Sequence, residues 1–117
     1  LENVMITKEK ALELWKLEMA DKEYAYDFSG KKIKKDEYLA DNRVGWLVAH
    51  VKPLECGGPD NDSNYIIMHH ETFTERDGKY PTFEIVGKEY IVKYDEKNDF
   101  YYVEKVLSDD DDGGFFL

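Results

Sequence analysis

His69, His70 and Glu71 stand in a row, and between them they offer two imidazoles and a carboxylate. Such donors suit zinc, manganese or magnesium, so His70 and Glu71 are candidate metal ligands. Adjacent residues of a regular strand or helix point to different sides, which sets His69 against His70 as joint ligands of one ion. A third histidine, His50, closes an apolar run, and Asp60 adds a carboxylate in the loop beyond it. The only thiol, Cys56, lies in Glu-Cys-Gly-Gly with no second cysteine for a disulfide or a Cys-x-x-Cys zinc pair, and reads as a small turn residue.

These residues share one stretch, Gly45 to Phe73: an apolar strand ending at His50 and Pro53, a glycine and aspartate turn, then Asn64 opening a second apolar run. In this pattern the chain resembles the His-Asn-His, or ββα-metal, nuclease family. The resemblance reaches from the segment carrying Trp15, through Tyr26-Asp27-Phe28-Ser29-Gly30 and the lysines after it, to Tyr80-Pro81-Thr82-Phe83. It implies His50 as the general base and Asn64 as the residue that braces the loop by hydrogen bonding. It also implies two metal ligands, an Asp immediately before the His and an Asn or His nine residues after the Asn. Ala49 and Phe73 occupy those positions. A methyl and a phenyl group have no lone pair for a hard cation, so the expectation is a degenerate member with no bound metal. A magnesium, manganese or zinc ion held by His70, Glu71 or Asp60 is the alternative. Without a metal to polarise a phosphodiester, a lone general base supplies only a modest part of the rate enhancement.

The elements that would position these groups follow from pattern. Thr7 can cap a helix that Leu12, Trp15 and Met19 stripe at helical spacing, which predicts an amphipathic helix from about Lys8 to Ala20 with Trp15 in the core. Tyr24 to Asp27 and the residues after Ser29-Gly30 predict a short hairpin. Lys31, Lys32, Lys34 and Lys35 form the one basic cluster, and Asp27, Asp36 and Glu37 beside it favour a solvated turn over a phosphate-binding patch. Gly45 to Pro53 suits a buried strand, Tyr65 to Met68 its partner, and His69 to Asp77 a helix. Thr82 to Val86, Glu89 to Tyr94 and Phe100 to Leu107 predict a closing β-meander. The expected fold is therefore α+β: a small ββα-metal core at about 45–79, an N-terminal amphipathic helix and a C-terminal antiparallel hairpin or meander. One domain is expected over 1–107, followed by an acidic, flexible tail over 108–117.

Composition bounds the function. The chain has 42% hydrophobic and 15% aromatic residues, which fits a folded domain. Its net charge is −10, and nearly all of it lies in residues 49–117, where seven Lys/Arg face sixteen Asp/Glu. Proteins that grip phosphate backbones do so with clustered Lys and Arg, so this charge disfavours nucleic acid as a partner. It suits a basic protein partner instead. Asp109, Asp110, Asp111 and Asp112 could mimic phosphate charge, and Phe115 and Phe116 could anchor a docking peptide. No apolar run is long enough to cross a bilayer and no signal-peptide order is seen, so a cytoplasmic protein is expected, with no membrane contact. Together with the resemblance, two functions are expected: a catalytically inactive nuclease-fold protein that binds or inhibits a basic partner such as a nucleic-acid enzyme, or a divalent-metal-dependent endonuclease on DNA or RNA with His50 as base and displaced ligands.

Overall fold

The computed structural model describes residues 6–107; the expectations for the acidic tail lie outside them. The fold is α+β, built from two helices and three antiparallel sheets.

Helix α1 (Lys8–Met19) starts where the Thr7 hydroxyl accepts the Lys10 amide at 3.1 Å. It stops one residue short of the expected end because Ala20 takes a left-handed φ of 59°. The helix buries Ala11, Leu14 and Trp15, with Leu12 and Met19 only partly covered. The apolar face is thus rotated from the predicted Leu12-Trp15-Met19 stripe, centred instead where the small Ala11 permits close approach. Trp15 meets Trp46 at 4.9 Å between ring centroids, and its indole N–H donates to the Lys22 carbonyl at 2.9 Å, so its one polar atom is satisfied on burial. Burying such a side chain contributes about 3 kcal/mol.

Strands β1 (Tyr24–Tyr26) and β2 (Lys32–Lys34) form the expected hairpin, with Gly30 at φ 95° in its turn. The lysines beside it divide: Lys32 and Lys34 both lie over the Tyr24 ring, and the Lys31 ammonium lies 4.0 Å from Glu75. Strands β3 (Trp46–His50) and β4 (Tyr65–His69) pair in a register that sets Trp46 opposite His69 and His50 opposite Tyr65. Helix α2 (His70–Arg76) follows directly, close to the predicted span. Gly45 sits where a Cβ would fall 1.8 Å from the Ala40 carbonyl oxygen, so no larger residue fits before β3. Strands β5 (Thr82–Ile85), β6 (Lys88–Asp95) and β7 (Phe100–Lys105) complete a meander as predicted.

Two apolar clusters result. One joins Trp15 to Ala25, Ile33, Trp46, Val48 and Ile67; the other joins Val51 to Phe83, Ile85, Tyr90 and Val92. Phe28 reaches the second cluster edge-on, 5.1 Å from the Tyr90 ring, while its neighbour Asp27 fastens the β1–β2 turn to α2. The buried Asp27 carboxylate accepts from the amides of Ser29, Lys31 and His69 and from the hydroxyls of Ser29 and Thr72, at 2.7–3.1 Å.

Burial works to raise the Asp27 pKa, but the hydrogen bonds, with Thr72 and the His69 amide foremost, hold it below the ordinary 3.8. A depressed folded pKa means that the stability Asp27 adds is complete above the unfolded value and lost as pH falls through the folded one. Asp27→Asn, which cannot accept at both ends, is expected to cost about 2–3 kcal/mol at pH 7. It should also flatten the loss of stability below about pH 4. Urea titrations of both proteins at pH 7 and pH 3 measure this, and an equally steep acid loss in the variant would contradict it.

Candidate functional site

A cleft of about 400 Å³ opens where the end of β3 meets α2. His50, Phe73 and Arg76 line it with Pro53, Glu55, Thr74, Asp77 and Gly78. His50 is placed by three elements. Its position at the end of β3 sets the ring against Tyr65, 5.5 Å away. Its Nε2 lies 2.9 Å from Asp60 Oδ1, and since an ionised carboxylate only accepts, Nε2 carries the hydrogen and donates. Its backbone carbonyl accepts from Arg76 Nη1 at 3.0 Å.

Asp60 also accepts from the Tyr65 hydroxyl at 3.0 Å. The bonds from His50 and then Tyr65 hold the Asp60 carboxyl below its ordinary pKa. Partial burial, and then the Asp60 carboxylate itself, push the Tyr65 phenol up to about 12. The three side chains form one polar chain, His50 to Asp60 to Tyr65, and Asp60 serves it as a hydrogen-bond acceptor. Chemically, the pair of His50 and Asp60 is an oriented imidazole.

The loop that delivers Asp60 is held by Asn64, which is fully buried. Its side-chain oxygen accepts the Lys52 amide at 2.8 Å, and its nitrogen donates to the carbonyls of Lys52 and Pro59 at 2.9 and 2.8 Å. Gly58 is required at this crossing: a Cβ there would lie 1.9 Å from the Lys52 oxygen and 2.8 Å from Asn64 Nδ2. The backbone turns through short 3-10 segments at Leu54–Cys56 and Asp62–Asn64, and Cys56 is exposed in the first of them.

Arg76 carried no signal that stood out in the sequence, although it is the one arginine of the acidic half. It is 3% exposed, and its guanidinium donates to the carbonyls of His50 and Val51 at 3.0 and 2.7 Å and to that of Lys79 at 3.1 Å. Its plane also covers the Phe83 ring at 4.6 Å. One side chain therefore joins α2, the end of β3 and β5.

The positions from which the resemblance draws metal ligands carry hydrocarbon. Ala49 is buried, pairs with Ile66 and falls on the opposite face of β3 from His50 by strand alternation. Phe73 lines the same cleft as His50. This donor set does not fit a divalent ion between those positions.

His70 and Glu71 are not brought to His50. They gather with His69 at the other end of the hairpin, with ligand-type atoms within 4.8 Å of one another. The expectation that His69 and His70 point apart is corrected: their rings stack at 4.6 Å, because His69 is the N-cap at the strand-to-helix junction, where neither alternation applies. Three of their four nitrogens are nevertheless committed. His69 Nδ1 accepts the Glu71 amide at 3.0 Å, while Nε2 donates to the Arg43 carbonyl at 2.9 Å. His70 Nε2 lies 2.7 Å from the Asn42 carbonyl. A nitrogen that carries its own hydrogen or already accepts one offers no lone pair, which leaves His70 Nδ1 and Glu71, with Asp41 Oδ1 3.9 Å from that nitrogen, short of the usual four ligands.

No helix among the described residues is long and apolar enough to cross a membrane. Set beside models of protein families, curated proteins and solved structures, the chain matches none of them.

Proposed function

We propose that this chain has the ββα-metal fold of His-Asn-His nucleases and works as a catalytically inactive binding or inhibitory protein for a basic protein partner, without a metal cofactor. The observation that carries the proposal is Phe73 in the His50 cleft, where a metal-dependent nuclease of this kind would need a donor. The strand, braced loop, strand and helix from Trp46 to Arg76 support the fold assignment, with Asn64 at the brace. Bracing stabilises the loop whether or not catalysis survives. The net charge of −10 supports a basic partner and opposes phosphate backbones.

A second function is favoured by one observation. The contact of 2.9 Å between His50 and Asp60 orients an imidazole as a general base for a metal-dependent endonuclease. Such an enzyme would still need ligands in place of Ala49 and Phe73, for which the cleft offers the carboxylates of Glu55 and Asp77 beside Asp60.

Calorimetric titration with magnesium, manganese and zinc, beside a nicking assay on supercoiled DNA and on RNA, separates the two. No specific uptake and no cleavage are expected. Cleavage that disappears in His50→Ala would overturn the proposal. Binding is tested by cross-linking the chain to purified basic proteins at low and high salt, where complexes that weaken as salt screens the charge are expected. Equal capture of acidic proteins would overturn the choice of partner.

A further inference from the structure

A second and larger cavity, of about 460 Å³, lies between α1, β4 and β7; His50 does not line it, although the Tyr65 ring that packs on His50 does. Its floor is apolar, with Leu14 and Ile66 among the residues that form it. Its walls are aromatic: Tyr26, Tyr65, Phe100 and Tyr101 line it, with Tyr26 61% and Phe100 38% exposed. The charged residues that line it are acidic, with the Lys10 ammonium beside one of them. Glu18 stands on the α1 side with no ion pair among the described residues, Asp62 on the opposite side is held by Lys10 at 2.9 Å, and the buried Asp27 carboxylate lies beneath.

An apolar floor, aromatic walls and an acidic rim select a flat or compact cation. The negative face of an aromatic ring attracts ammonium or guanidinium, and a carboxylate on the rim supplies the ion pair. The fold already uses this chemistry on itself, seating the Lys52 ammonium 5.4 Å from the Tyr80 ring centre and 5.8 Å from that of Tyr101. The cavity volume lies in the range of small-ligand sites, enough for an arginine side chain and the apolar residue next to it.

We infer that this groove is the docking site for an arginine side chain of an extended basic segment on a partner protein. The inference rests on the proposed binding function for the partner's charge, but its site is separate from the His50 cleft. Nucleic acid does not fit, because the rim would repel its phosphates.

The test is a nitrogen-15 NMR titration of the full chain with two peptides, acetyl-Gly-Arg-Leu-Arg-Gly-amide and its citrulline counterpart, which keeps the shape and loses the charge. The arginine peptide is expected to shift the amides of Glu18, Tyr26, Tyr65 and Tyr101, and the citrulline peptide to leave them in place. Glu18→Gln and Tyr26→Ala change exposed side chains, should keep the wild-type melting temperature, and should each weaken binding about five- to tenfold. Equal shifts with citrulline, shifts spread over the acidic loop at 95–99, or unchanged affinity in both variants would each overturn the groove. Any of these with no metal-dependent cleavage leaves the proposed function standing without this site. Cleavage that requires His50 overturns the proposed function whatever the titration gives.

Discussion

Arg76→Ala is expected to lower the free energy of unfolding by about 4 kcal/mol, most of the margin of a small domain. The cause is local. Truncation leaves the carbonyls of His50, Val51 and Lys79 without the guanidinium that now reaches all three, and uncovers the Phe83 ring. A buried carbonyl without a donor costs about 1–3 kcal/mol, so the loss comes mainly from what is left behind. Arg76→Lys should recover less than half of it, because one ammonium cannot reproduce a planar fork that spans neighbouring carbonyls. Urea unfolding gives the energy, and amide exchange at Val51 and Phe83 gives the location. A loss under about 1 kcal/mol, or exchange rising evenly over the chain, would show that Arg76 does not join these elements.

Asn64→Ala should be comparably damaging, about 3–4 kcal/mol, since it strips the bonds to the Lys52 amide and to the carbonyls of Lys52 and Pro59 from a fully buried crossing. Its second effect bears on the site. Asp60 follows Pro59, so a released loop lets the carboxylate leave His50 and Tyr65. The Tyr65 phenol, now pushed up to about 12, should then titrate closer to the ordinary value near 10. Ultraviolet titration of tyrosine in the folded variant, with Asp60→Asn as a control that removes the charge and spares the loop, checks this. An unshifted phenol in both variants would mean that Asp60 does not raise it. Gly58→Ala is expected to mimic Asn64→Ala in stability, because its methyl would fall 1.9 Å from the Lys52 oxygen and 2.8 Å from Asn64 Nδ2 at the same crossing.

Much of the architecture is legible in the chain. Alternation and turn residues place β3, β4 and the β5–β7 meander, and Thr7 with the helical spacing places α1, because these signals act within a few residues of one another. The face of α1 was harder to read. Leu12 and Leu14 are equally apolar, and only the packing partner decides that Leu14 is covered together with Ala11. The site divides in the same way. His50 and Asn64 stand out in the sequence, and so do the hydrocarbons at Ala49 and Phe73.

What the sequence determined by itself is local: the element order, the α+β class, the excess of negative charge and the residue types at His50, Asn64, Ala49 and Phe73. Tertiary structure alone decided which of them meet. It brought Asp60 rather than His70 or Glu71 to His50, used both nitrogens of His69 at a helix start, buried Asp27 under five hydrogen bonds and sent Arg76 to the backbone of another element. These are contacts between polar groups distant along the chain, whose worth depends on burial and angle. No pattern of residue types encodes them until the chain has closed around them.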